Sequence, residues 1–101
     1  MALHDESFEP RFTAIDCIGA MWLAVTVHDA LRTRRIPYLM RYAVDSGGTP
    51  AVQVRSPELG RAGLALAGVE GIMAIVSDDE KGEYLCVQET HEHRELALAV
   101  G

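Results

Sequence analysis

The stretch Gly19–Tyr42, GAMWLAVTVHDALRTRRIPYLMRY, decides the fold. It holds the only tryptophan, the longest helical pattern, the main basic cluster and the start of a strand. Ala20, Leu23, Ala24, Val27 and Leu31 recur at steps of three and four, which places them on one face of a helix. His28, Asp29, Arg32, Arg34 and Arg35 take the outer side at its far end. Asp16 or Gly19 is placed to cap the start. The arginines suit the negative pole of the helix dipole. Pro37 stops the helix and turns Ile36 toward extended geometry. A competing pattern exists, since Met21, Leu23, Val25 and Val27 alternate and Val25-Thr26-Val27 is rich in β-branched residues. The helix over 19–35 is preferred, because a helix confined to 28–35 would be a poor unit of packing.

Working outward, residues 1–10 read as a mobile polar lead-in ending at Pro10. Phe12–Ile18 reads as a first strand, with Asp16 near its end because it spoils the alternation. Tyr38–Val44 and Ala51–Arg55 form a hairpin around Asp45-Ser46-Gly47-Gly48, where glycine accepts a positive φ. Ser56-Pro57-Glu58 opens a second helix, with Ser56 as its cap and Pro57 at the first helical position. Leu59, Ala62, Leu66 and Val69 mark its apolar face. Gly60 and Gly63 inside it suit a close approach to a sheet, and Gly68 and Gly71 end it. Ile72–Val76 is wholly apolar and is expected at the centre of the sheet. Ser77–Gly82 is a turn and Glu83–Glu89 a returning strand. Residues 90–101 read as a short helix or a packed arm.

The order strand, helix, strand, strand, helix, strand defines an α+β, ferredoxin-like sandwich, βαββαβ plus one extra strand and a C-terminal arm. Its antiparallel sheet is expected in the order 4-1-3-2, with both helices on one face and the fifth strand beside the fourth. Neither helix can hide its apolar face alone, and one apolar sheet face hides both.

Size and composition set limits. The 101 residues make one domain. Such a chain buries roughly 60–65% of its unfolded surface, enough for a core without staples. Hydrophobic residues are 49% and charged residues 24%, which is globular composition and not disorder. The net charge of −6 argues against a nonspecific nucleic-acid binder. No apolar run reaches the roughly 18 residues of a membrane span. The acidic start MALHDESFEP is not a signal peptide, and with only two cysteines the expected compartment is the reducing cytoplasm.

The run from Phe12 to Gly68 resembles small prokaryotic signal-transducing domains of ferredoxin-like, PII-like shape. The matching features are the LxxxxIP turn at Leu31–Pro37, the hairpin after it, and SPELGRAGLAL at Ser56–Leu66. Residues 72–101 lie outside the likeness. It implies a regulatory or binding role.

Four groups of residues could carry chemistry. On a strand, His91 and His93 would share a face and could chelate a metal given a third ligand, with His4, His28 or Cys86 as candidates. The spacing is not that of H-E-x-x-H, and a solvated polar junction is the preferred reading. Cys17 and Cys86 read as small buried strand residues, with no Cys-x-x-Cys and no flanking histidine to mark a nucleophile. Gly60-Arg61-Ala62-Gly63 has Gly-x-x-Gly spacing, but inside a helical pattern it is not a nucleic-acid loop. Asp78, Asp79, Glu80 and Glu83 lack calcium-loop spacing and belong to a solvated turn.

Arginine is the exception. Eight of the nine basic residues are arginine, and Arg32, Arg34 and Arg35 crowd into four positions of an acidic chain. Their guanidinium forks suit carboxylate or phosphate. These three mark a recognition surface, with Arg41 and Arg61 at its rim. No set of residues meets the requirements of catalysis, and no cofactor is implied. The function expected is a non-catalytic regulatory or protein-interaction domain, homodimeric, with a protein partner or small anionic ligand. An anion sensor and a small acidic inhibitor of a nucleic-acid-processing machine are the alternatives.

Overall fold

The computed structural model describes residues 14–100, with side chains described for 21–96. Seven elements follow one another: α1 (Ala14–Thr33), β1 (Leu39–Val44), β2 (Pro50–Arg55), α2 (Leu59–Ala67), β3 (Ile72–Asp79), β4 (Gly82–Glu89) and α3 (His91–Val100). The strands form one antiparallel sheet in the order β1-β2-β4-β3. Helix α1 packs mainly on β2, α2 packs on β3, and the two helices touch. The fold is therefore α+β, with an antiparallel sheet and two helices on one face, as the patterning predicts.

The α1 stripe behaves as expected. Leu23, Ala24, Val27 and Leu31 are buried in one cluster with Met40, Val52, Val54, Leu66, Leu85 and Val87. Alternation puts those strand residues on a single face of the sheet. The strand reading of 20–27 fails because its alternate members split: Leu23 and Val27 are buried while Met21 and Val25 are exposed.

Two expectations need correction. The helix begins at Ala14, so residues 14–18 are not a strand; the expected strand's first two residues lie outside the described part. Nothing between Ala14 and Thr33 breaks a helix except Gly19, which costs about 1 kcal/mol against alanine and does not stop propagation. The second concerns order. In the strand numbers expected from the sequence, the sheet runs 4-5-3-2. The last strand occupies the central place allotted to the first, and Ile72–Val76 lies at the edge. The cause is local. A two-residue turn at Glu80-Lys81 pairs Asp79 with Gly82 and binds β4 to β3, while Leu85 and Val87 of β4 register with Val54 and Val52 of β2. With residues 14–18 helical, no earlier strand competes for that place.

The β1–β2 hairpin is as expected. The Asp45 carboxylate accepts the Gly47 and Thr49 amides, both at 2.9 Å, and Gly48 has φ +83°. Helix α2 starts two residues later than the sequence suggests. Glu58 holds the capping position, while the Ser56 hydroxyl donates to the Pro37 carbonyl at 2.6 Å, tying α2 to the start of β1. Of residues 90–101, His91–Val100 form α3, capped by Thr90, whose Oγ1 accepts the His93 amide at 3.2 Å.

Two glycines behave oppositely. Gly60 is exposed and a Cβ there would meet open space, so it does not serve close packing. Gly71 has φ +90°, and a Cβ there would lie 2.8 Å from the His93 ring. Gly60→Ala should raise unfolding free energy by about 0.5–1 kcal/mol, whereas Gly71→Ala should lower it by roughly 1–3 kcal/mol. Urea unfolding of both variants checks this, and an equal effect at the two sites would contradict the geometry.

Candidate functional site

Helix α1 ends in a turn set by two backbone bonds. The Ile36 amide donates to the Leu31 carbonyl at 3.0 Å and the Arg35 amide to the Arg32 carbonyl at 2.9 Å. This paired six-to-one and five-to-two pattern is a Schellman motif, and the burial of both Leu31 and Ile36 seals it. The residue after the helix cap in such a motif must adopt positive φ, and glycine is usual there. Here it is Arg35, with φ +55°. Among the described residues it is the one non-glycine in that region.

The turn displays its arginines. Arg32, Arg34 and Arg35 are all exposed, and no ion pair engages their side chains among the described residues. Other arginines are committed. Arg55 pairs with Asp79, donates to the Gly82 carbonyl at 3.2 Å and lies 4.9 Å over the Tyr84 ring. Arg61 pairs with Glu58 and donates its other guanidinium nitrogen to the Arg34 carbonyl at 3.1 Å. Arg61 thus belongs to the arginine turn as a brace, fixing its backbone from α2. Arg41 does not belong to it. Its Nε donates to Gln53 Oε1 at 2.6 Å across the β1–β2 pair, on the sheet face turned away from the helices.

Sequence reasoning missed Tyr38 at this site. Its hydroxyl is hydrogen-bonded to His28 Nδ1, and the two rings meet edge to face at 5.9 Å. Burial raises the Tyr38 pKa, with the Arg32 charge opposing and Asp29 adding. Its place directly after Ile36-Pro37, ten residues from His28, was the available signal. A shallow groove between α1 and α2 runs beside Arg34, lined by Thr26, Asp29, Ala30, Ala65 and Val69.

The histidine pair does not assemble as a chelate. On helix α3, positions two apart point in different directions. His91 Nε2 lies 3.0 Å from Glu95, exposed. His93 turns inward, with Nδ1 at 2.5 Å from Glu89 and its ring stacked on Trp22 at 4.4 Å. Among the described residues no three metal-ligating side chains gather. Trp22 is partly buried against the core and stacked under this histidine ring. Cys17 falls on α1 and not on a strand. Cys86 has a free thiol on the open sheet face. Among the described residues no helix is long and apolar enough to cross a membrane.

No protein-family model, curated protein or solved structure matches this chain.

Two measurements follow from this geometry. Arg35→Gly relieves the positive φ and should stabilise the fold by about 1 kcal/mol; a lowered melting temperature would contradict the turn. Burial pushes the Cys86 thiol up, and the Asp45 carboxylate adds to this. Only the thiolate alkylates, so the iodoacetamide rate of Cys86, followed by peptide mass analysis, should rise at a pH above the ordinary thiol range of about 8.5. Asp45→Asn should shift that profile toward lower pH.

Proposed function

We propose that this chain is a non-catalytic, homodimeric regulatory domain that engages an acidic protein surface through Arg32, Arg34 and Arg35. One observation carries the reading. Three exposed arginines fall within four positions of one turn, without an internal ion-pair partner among the described residues, in a chain of net charge −6. A helix end needs about one cation to complement its dipole, worth about 0.3–1 kcal/mol. Holding Arg35 at positive φ costs stability that glycine would not. The side chains are therefore retained for something outside the fold. The turn is stiffened by Pro37, sealed by Leu31 and Ile36 and braced by Arg61, so presenting its donors needs little ordering. The resemblance of residues 12–68 to signal-transducing domains points the same way.

A small-anion sensor has less support. The groove is open, and although Arg34 lines it together with Thr26 and Thr33, the Asp29 carboxylate in the same wall disfavours an anion. An acidic inhibitor that imitates nucleic acid would place its recognition on carboxylates; Asp78, Glu80 and Glu83 are exposed without an ion pair among the described residues at the β3–β4 turn, but a net charge of −6 is modest for such mimicry.

The experiment is the triple change of Arg32, Arg34 and Arg35 to Gln, with folding checked by melting temperature. A partner is first captured from native lysate on the parent protein, then its affinity for both proteins is measured at two salt concentrations. The variant should bind at least about tenfold more weakly at low salt, with a flatter salt dependence. Equal binding at both concentrations would overturn the arginine surface.

A further inference from the structure

Strand β3 is at odds with its sequence. Ile72–Val76 has the composition of a strand buried on both faces, yet it lies at the sheet edge. Ile75 is 56% exposed, Val76 57% and Met73 45%, so apolar groups are bare on both faces at once. Edge strands normally carry a guard, such as a lysine, a proline or an inward charge. None stands between Ile72 and Val76. Half of the backbone donors and acceptors of such a strand point out of the sheet, ready to pair.

We infer that β3 pairs antiparallel with β3 of a second copy, in register about Ala74, to make one continuous eight-stranded sheet. This deepens the homodimer of the proposed function and does not depend on the arginine surface. The register follows from chemistry. A two-fold axis normal to the sheet sets residues of like face opposite each other. Centred on Ala74, it puts Ile72 opposite the partner's Val76 on the helix side. It puts Met73 opposite the partner's Ile75 on the open side, with the two small Ala74 side chains at the axis. Every apolar residue of the run then meets an apolar residue, in the pairings that stabilise sheets most. Centring on Val76 instead would set Ala74 against Asp78 and Met73 against Asp79.

Helix α2 adds exposed apolar surface on the same side of the sheet. A standard dimer interface buries about 800 Å² per partner, more than one short edge supplies. Helix α2 packs on β3 and can contribute the remainder. Ala62 and Leu66 are buried in the core, so Gly60, Leu64 and Ala67 take the opposite, solvent side of α2. Leu64 is 78% exposed there. A strand lent by a different protein would explain the bare β3 but not the self-matching register.

Sedimentation equilibrium of the untagged chain at about 100 µM should give a dimer, and Ile75→Lys should raise the dissociation constant at least tenfold, about 1.4 kcal/mol, without changing the circular dichroism spectrum. A second measurement stands apart from the tolerance of lysine at that site. With Cys17 and Cys86 replaced by Ser, Ala74→Cys should form an intermolecular disulfide on oxidation, and Leu39→Cys on the β1 edge should not. A monomeric parent protein overturns the inference, and this is also the result expected if β3 receives a strand from another protein. A dimer that tolerates Ile75→Lys and fails to cross-link through Ala74→Cys overturns it as well, and leaves the dimer itself standing. The arginine triple variant should remain dimeric, so loss of partner binding and loss of the dimer are read separately.

Discussion

Burial of one helix stripe on one sheet face governs this structure. Leu23, Ala24, Val27 and Leu31 of α1 close over Val52 and Val54, and each is at most 6% exposed. The leucine and valine side chains among them contribute about 1.5–3 kcal/mol apiece when fully buried. Strand β2 is fixed beneath α1, and the Asp45-to-Gly48 turn then fixes β1. Leu85 and Val87 complete the same layer, which brings β4 beside β2 and leaves β3 outside it. Two helices on one face leave the other face bare of helices. That face carries polar pairs, Arg41 with Gln53 and Arg55 with Asp79 and Tyr84, as a solvated face should.

What the sequence makes legible is the part set by local periodicity. The α1 stripe, the hairpin and its turn, the α2 face and the β4 alternation all follow from steps of three, four or two. Sheet order is not local, and there the sequence misleads. Ile72–Val76 reads as central because an all-apolar run implies cover on both faces, and sequence cannot say whether a neighbouring strand belongs to the same chain. The segment 14–18 misleads for a different reason. Its alternation is short and broken by Asp16, and it adjoins a longer helix with no stop signal between them. A cooperative helix extends through such a stretch, because adding a residue to an existing helix is far easier than starting a strand with no partner fixed.

The candidate site is legible as a composition and not as a geometry. Arg32, Arg34 and Arg35 stand out by crowding, and the Ile36-Pro37 stop shows that a turn lies among them. That Arg35 occupies the left-handed position is invisible in the sequence, because glycine is the usual mark of a Schellman end and is missing here. The roles of Arg41 and Arg61 separate only in three dimensions. Nearness in sequence puts Arg41 beside the cluster, yet alternation along β1 turns it to the opposite face. Arg61 is distant in sequence, yet its guanidinium reaches the Arg34 carbonyl. His91 and His93 invert in the same way. A strand would place them together and a helix sets them apart, so one secondary-structure assignment decides between a chelate and two unrelated contacts to glutamates.

The two surfaces bear on each other through the sheet. Helix α1 packs toward β2 and its arginine turn leads into β1, at the edge opposite β3. Pairing of β3 with its symmetry mate would keep the arginine turns clear of the interface and set them at the two far ends of one sheet. Seven strand spacings of about 4.8 Å separate β1 from the partner's β1, roughly 34 Å. A partner with acidic sites at that separation, or two partners held side by side, would be bound by both turns at once. Each turn alone offers only exposed, screened charges, which bind weakly at physiological salt. Bivalence multiplies such weak contacts through effective concentration, with no new contact at either turn. The edge that is bare in one chain is thus the feature that would let a modest arginine surface become a selective one.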